Sequence, residues 1–199
     1  MSEVPLTATE YYDSQRVGEA LAASAHFGDF RTLVVTSARS ALYVKLARAA
    51  LAAGAHVLSV GTATARALDD EDCASDVVGT AGAQDLGGDI TEGPVLLLGA
   101  ASMRSELAND LHSRGLDVEH LACYATVPTT LTSEAVATLR AADVVLIGAP
   151  SAWWAARDYL SEACWVVVPG ATTAEVVSQD RERVLEGWGP QLASRLSRL

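Results

Sequence analysis

The chain is 199 residues long, half of them hydrophobic, with a formal net charge of −11. That length and apolar content suit one large domain or two small ones around a substantial core. The acidity excludes a nucleic-acid-binding surface, since no basic patch exists to release phosphate counterions, and apolar runs of about five residues are too short for a bilayer, which takes about twenty.

The opening MSEVPLTATE has neither the basic nor the apolar region of a signal peptide. Three scattered cysteines, Cys73, Cys123 and Cys164, show no CxxC spacing, so reduced thiols and a cytoplasmic location are expected. An anionic ligand would meet a repulsive overall field, so its site needs local donors such as backbone N–H groups and hydroxyls.

In chain order, Pro5–Tyr11 (PLTATEY) alternates apolar and polar residues, the pattern of an exposed ribbon. A helix follows over Ser14–Ala25. Then come a strand at Thr32–Ser37, a helix over Ser40–Ala53, a strand at His56–Gly61 and a helix over Ala63–Asp69. Residues 69–93 are acidic and glycine-rich and read as a solvated loop with one short strand, DVVGT, and a turn of helix. A strand at Pro94–Gly99 and a helix over Ser102–Arg114 precede a second alternating ribbon, Val118–Thr126. Strands at Val144–Ala149 and Trp165–Gly170 are followed by helices over Ala152–Glu162 and Thr172–Ser178. Residues 180–199 read as one or two polar helices broken near GWGP. The five core strands are continuously apolar and β-branched, as strands buried on both faces are. Alternated with helices, they predict an α/β fold with parallel sheets.

The order of elements repeats. Aligning VVTSARSALYV (Val34–Val44) with LIGAPSAWWAA (Leu146–Ala156) puts Ser37 on Ala149, and Gly61 then falls on Gly170. Strand, small-polar turn, helix, strand, Gly-Thr turn and helix occur twice, which predicts two similar α/β lobes facing one another. In open α/β sheets ligands bind beyond the carboxyl ends of the strands, where helix N-termini present free N–H groups. The residues at those ends are Thr36, Ser37, Ser40, Thr62, Thr64, Ser102, Arg104, Ser151, Thr172 and Thr173. Any one serine or threonine there can be an ordinary cap; convergence from two lobes raises the functional reading. GxSxG, the Walker A loop and GxGxxG are absent. His26, His56, His112 and His120 are dispersed and, with the cysteines, show no metal-ligand spacing, so neither a metal nor another cofactor is expected. Tyr124 ends the second ribbon, where a phenol can serve as a weak acid or as an interface aromatic. Trp153 and Trp154 read as helix-packing residues, one of which could line a cleft.

Read together, these phrases resemble uroporphyrinogen-III synthase. TSARSAL at Thr36–Leu42 is similar to the family's TS-bearing strand–helix turn, and VGTATA at Val60–Ala65 to its VG-x-x-T-A turn. LLLGAASMRSELANDLHSRGLDVEHLACYAT at Leu96–Thr126 resembles its strand, arginine-bearing helix and tyrosine-ended strand. APS at Ala149–Ser151 and PGATTA at Pro169–Ala174 resemble the second-lobe elements. The resemblance implies two Rossmann-like or flavodoxin-like lobes joined by a two-stranded β ribbon, with the active site in the cleft. Residues 9–120 would form the first lobe and residues 1–8 with 121–199 the second, with ribbon strands at 5–11 and 118–126. The family's usual opening strand and helix have no counterpart, so the second lobe is expected without them.

The reaction implied is cofactor-free. Hydroxymethylbilane loses water, its terminal pyrrole ring is inverted and the macrocycle closes. The resemblance gives Tyr124 the role of assisting water loss, and makes Ser37, Thr64, Thr173 and Arg104 substrate contacts, with Thr62, Ser151 and Thr172 beside them. The partner expected is this polycarboxylate, with no nucleic acid or membrane, in a monomer or weak homo-oligomer. Two other classes stay open: a non-catalytic bilobed module that binds or senses an anionic small molecule such as a tetrapyrrole, and a sugar-phosphate or nucleotide-binding α/β enzyme, which would lack both a phosphate loop and a catalytic base.

Overall fold

Two strand-forming stretches, FRTLVV with its apolar end LVV and the apolar VLLLGA, are neighbours at the middle of a six-stranded sheet: β2 (Phe30–Val35) and β5 (Val95–Ala100). The computed structural model describes residues 2–80, 83–103 and 105–187. By internal contacts the chain forms two units, one of Met1–Ala8 with Val127–Leu199 and one of Thr9–Thr126.

In the unit of Thr9–Thr126, β2 is flanked on its other side by β3 (Leu51–Val60), and beyond that by β4 (Val77–Gly79). On the far side of β5 lie β6 (Val118–Pro128) and β1 (Thr7–Tyr11), giving the order β1-β6-β5-β2-β3-β4. The pairs β2–β3, β2–β5, β3–β4 and β5–β6 are all parallel. Because strand side chains alternate between faces, each central strand feeds two cores. Leu33, Val35, Val57, Leu96 and Leu98 pack with α1 (Ser14–Ala22), the 3₁₀ segment Ala38–Tyr43, α2 (Val44–Arg48) and α3 (Thr62–Asp69). Val34, Leu58, Val95 and Leu97 pack on the opposite face with the 3₁₀ segment Ala83–Asp89 and α4 (Glu106–Ser113). Each fully buried leucine here contributes about 1.5–3 kcal/mol. The Arg114 guanidinium donates to the carbonyls of Gly87 and Ile90, tying the second of those 3₁₀ segments to α4.

The other unit holds a three-stranded parallel sheet among its described residues, β7 (Val144–Leu146), β8 (Trp165–Val168) and β9 (Val184–Glu186), in that order. Its core of Leu139, Ile147, Trp153, Ala156, Leu160, Val166, Val168 and Val177 is built by α5 (Ser133–Arg140), α6 (Pro150–Ala156) and α7 (Ala171–Ser178) against that sheet.

Four differences from the sequence reading have clear causes. Residues 51–53, expected at the end of a helix, begin β3, because Leu51 pairs with Phe30 and Gly54 at φ +77° lets the strand continue. The alternating segments are not an isolated ribbon. Both β1 and β6 run from one unit to the other, and both also join the six-stranded sheet. Residues Val95–Ala100 of β5 pair with Val118–Tyr124, which leaves Leu121, Cys123 and Tyr124 buried. Hydrogen bonds from Thr129 N–H to Leu6 C=O and from Tyr12 N–H to Cys123 C=O run β1 and β6 in opposite directions. Helix α5 was not expected at all, although Thr132 caps it by accepting from Ala135 N–H at 3.1 Å. Finally, β9 occupies part of the stretch expected to be helical; the remainder of that stretch, 188–199, lies outside the described residues.

Candidate functional site

From β2 the chain winds outward to β3 and β4 on one side, then crosses back to β5 and winds outward to β6 on the other. The switch point of the larger sheet is therefore the crevice at the carboxyl ends of β2 and β5. Thr36 closes that crevice, its N–H and its hydroxyl both donating to Leu98 C=O at 3.0 Å. Gly99 permits this approach, because a Cβ there would stand 2.5 Å from Thr36 Oγ1. One strand over, Ala101 N–H donates to Tyr124 C=O at 2.7 Å. Three strand ends are thus stitched into one rim carrying Thr36, Ser37 and Tyr124.

Ser37 is extended (φ −156°, ψ 144°), and its hydroxyl accepts from Arg39 N–H at 3.3 Å, starting the 3₁₀ segment Ala38–Tyr43. That turn carries Arg39 toward Tyr124, with the guanidinium carbon 5.8 Å from the ring centroid. Tyr11 of β1 packs against the same ring in a tilted arrangement, centroids 6.2 Å apart and planes at 49°. Tyr124 is only 5% exposed, whereas Tyr11 is 47% exposed and forms the open side of the pair. Among the described residues Arg39 forms no ion pair with a carboxylate, which is notable in a chain of net charge −11. Below it, Tyr43 donates its hydroxyl to Tyr12 C=O, and burial first, then Cys123, Tyr11 and Asp13, raise its pKa and keep it a donor.

The Gly-Thr turns share one hydrogen-bond pattern, although Gly61 sits at positive φ and Gly170 is extended (φ −173°, ψ 176°). Gly61 caps α3 at φ +82°, ψ 157°, a backbone region essentially reserved for glycine, and its C=O accepts from Thr64 and Ala65 N–H at 3.1 Å each. Gly170 caps α7, and its C=O accepts from Thr173 and Ala174 N–H, also at 3.1 Å each. Thr64 and Thr173 are turned inward at 3% and 5% exposure, so Thr62 and Thr172 are the open threonines. Ala149 begins α6 with backbone angles close to those of Ser37 (φ −155°, ψ 158°), but without a hydroxyl it makes no side-chain cap. Ser151 is half-buried in the first turn of α6.

In the larger unit the structure thus gathers Ser37 and Tyr124 on one rim, with Thr62 and Thr64 on the next turn, where α3 packs against Ala38–Tyr43. Ser151, Thr172 and Thr173 belong to the other unit, and Arg104 lies outside the described residues. Arg39 and Tyr11 escaped the sequence reading. Arg39 stands inside the TSARSAL phrase, but only the fold brings it to Tyr124. Among the described residues no group of three or more His, Cys, Asp or Glu side chains is arranged to hold a metal ion, and no helix is long and apolar enough to cross a membrane.

A cavity of about 620 Å³ in the smaller unit is lined by Trp153, Arg157, Asp180 and Arg181, among others. Its arginines have structural work. Arg181 donates to the carbonyls of Arg157, Leu160 and Ser161, and Arg157 pairs with Asp180 at 2.9 Å. The rim around Tyr124, not this cavity, carries the open hydroxyl and cationic chemistry.

The sequence matches the family model described as uroporphyrinogen-III synthase HemD over residues 1–185. Among solved structures it is similar to uroporphyrinogen-III synthetase from Helicobacter pylori, at 19% identity and a TM-score of 0.69, covering 98% of this chain and 92% of that one. It is also similar to a mutant uroporphyrinogen III synthase from Thermus thermophilus, at 19% identity and a TM-score of 0.61, covering 98% and 85%. A search of curated proteins finds no match. The structural likeness carries the bilobed α/β fold, and the family match carries membership: the chain belongs to the uroporphyrinogen-III synthase family of tetrapyrrole biosynthesis, a family of lyases.

Proposed function

We propose that the chain is itself a cofactor-free hydro-lyase that converts hydroxymethylbilane to the ring-inverted macrocycle. The observation that supports it most is Tyr124, held on the rim of the β2–β5 crevice beside the Arg39 guanidinium. In this reading the Tyr124 hydroxyl donates a proton to the departing hydroxyl, which leaves as water. The pyrrole nitrogen's electron pair expels that water, leaving an azafulvenium ion beside the Tyr124 phenolate, which regains a proton when the ring closes. The remaining task is to hold the chain in the folded geometry that closes with the terminal ring inverted. Arg39 supplies positive charge for a substrate carboxylate in an otherwise acidic chain. Ser37, Thr62 and the first amides of α3 offer further donors. Thr64, buried behind them, holds the turn, as the likewise buried Thr173 holds its own, and Ser151, Thr172 and Arg104 are proposed as additional substrate contacts. The same reading has the protein act in the cytoplasm as a monomer or weak homo-oligomer, in keeping with its three buried free thiols.

The test is to supply hydroxymethylbilane and resolve the product isomers. The proposal expects the type III isomer in excess of the uncatalysed proportion, and a marked loss of that excess in Tyr124→Phe but not in the control Tyr159→Phe. Tight binding of bilane without turnover would select the non-catalytic binding or sensing module instead. No binding at all would sink both.

A further inference from the structure

Three hydroxyls of the larger unit stand outside its hydrogen-bond network, those of Ser40, Ser59 and Ser75. Ser75 is only half-buried, in the loop after α3, whereas the other two residues are fully enclosed. Ser40 and Ser59 are both 0% exposed, and neither Oγ has a partner among the described residues. A desolvated hydroxyl with no partner is strongly disfavoured, so each calls for an explanation.

Their positions give one. Ser59 lies in β3 and pairs with Val35 of β2. Alternation along the strand puts it on the side of Val57, away from Leu58, and that side is the one covered by Ala38–Tyr43, α2 and α3. Ser40 belongs to the Ala38–Tyr43 segment itself, with its N–H on Ser37 C=O at 2.9 Å, and this segment packs against α3. Both hydroxyls therefore lie in one layer, between the β2–β3 pair and the helical segments that spring from it. Two buried hydroxyls left open in one packed layer are a setting that holds an internal water, which needs two to four polar partners.

We propose that a single water bridges Ser40 Oγ and Ser59 Oγ. It fastens the turn bearing Ser37 and Arg39 to β3, the strand that ends in the Gly61 turn. The water uses its two protons and two lone pairs on the hydroxyls and on free lone pairs of adjacent carbonyls. Ser40 and Ser59 are then positioning residues, acting on the rim through the backbone that carries it. The water site stands without any catalytic assumption; only its effect on turnover rests on the function proposed above.

The alternatives differ in sign. If the hydroxyls are simply unpaired, Ser40→Ala and Ser59→Ala each relieve a desolvated group, and thermal midpoints rise, additively in the double variant. If a water bridges them, each single substitution strands it and lowers the midpoint by about 2–4 °C, and the double variant falls no further than the worse single one. A crystal structure should show one solvent peak within hydrogen-bond distance of both Oγ atoms; additive stabilisation, or no such peak, overturns the proposal. In active protein the singles should raise KM for hydroxymethylbilane several-fold with kcat little changed, and an unchanged KM would refute the positioning role. Should the protein show no turnover, the midpoint and density results still decide the water site.

Discussion

Replacing Gly99 by alanine would put a Cβ 2.5 Å from Thr36 Oγ1 and 3.0 Å from Met103 Sδ. Met103 can swing the end of a flexible side chain away. Thr36 cannot move so cheaply, because its hydroxyl donates to Leu98 C=O at 3.0 Å and its N–H is tied to the same carbonyl. Overpacking of this kind costs about 1–3 kcal/mol, and losing the hydroxyl bond adds about 1 kcal/mol, for a total of about 2–4 kcal/mol. In a unit of this size each kcal/mol moves the unfolding midpoint by about 4 °C, so Gly99→Ala should lower it by about 8–16 °C, read by circular dichroism on heating. Removing Thr36 Oγ1 removes the clash. The double variant Gly99→Ala, Thr36→Ala should therefore be more stable than Gly99→Ala alone, the reverse of what two independent losses would give. An unchanged midpoint in Gly99→Ala, or a double variant worse than the single, would refute the close approach of β2 and β5 on which the rim depends.

Four further outcomes follow from the same structure. Tyr124→Phe should lower kcat by about 10²-fold, the low end of what a proton donor supplies, with KM for hydroxymethylbilane little changed in steady-state assays. Arg39→Ala should weaken substrate binding roughly 10–100-fold, the worth of one charge-assisted hydrogen bond, measured by titration with the bilane. Burial pushes the Cys123 thiol up to about 12, so the folded state favours the neutral thiol. Stability from that source is whole below the unfolded value near 9 and drains away as pH rises toward 12. The midpoint should accordingly fall between those pH values, and less steeply in Cys123→Ala. Thr132→Ala, which removes the cap of α5, should cost about 1 kcal/mol in denaturant titration.

Much of the fold could be read from residue order because the strongest local signals coincide with the buried strands. TLVVTS, PVLLLG and WVVVPG carry the unbroken apolar runs LVV, VLLL and WVVV, which suit a strand covered on both faces, and the Gly-Thr turns at Gly61 and Gly170 mark two of the helix starts. What escaped the reading depends on partners distant in sequence. Leu51–Ala53 look helical by composition and become strand because Phe30 offers a pairing edge. Val118–Tyr124 alternates as an exposed ribbon would, yet β5 on one side and β1 on the other draw it into the sheet. The cap and apolar spacing of α5 were present in TSEAVATLR but short enough to pass for loop. At the site, Ser37 and the two glycines were visible from turn chemistry alone. Arg39 was not, since nothing in a short polar turn says which aromatic ring its guanidinium will meet. Nor does sequence reveal that Thr64 and Thr173 face inward while Thr62 and Thr172 stay open, a distinction set by which side of each helix meets the sheet.

The most direct check on the proposed activity is the isomer ratio formed from hydroxymethylbilane by the purified protein, followed by chromatography of the oxidised products. The ring-inverted type III isomer should dominate with the wild-type chain and should fall toward the uncatalysed proportion with Tyr124→Phe at equal protein concentration. Type I product at the uncatalysed proportion from folded wild-type protein, at concentrations where a synthase would compete with spontaneous closure, would contradict it.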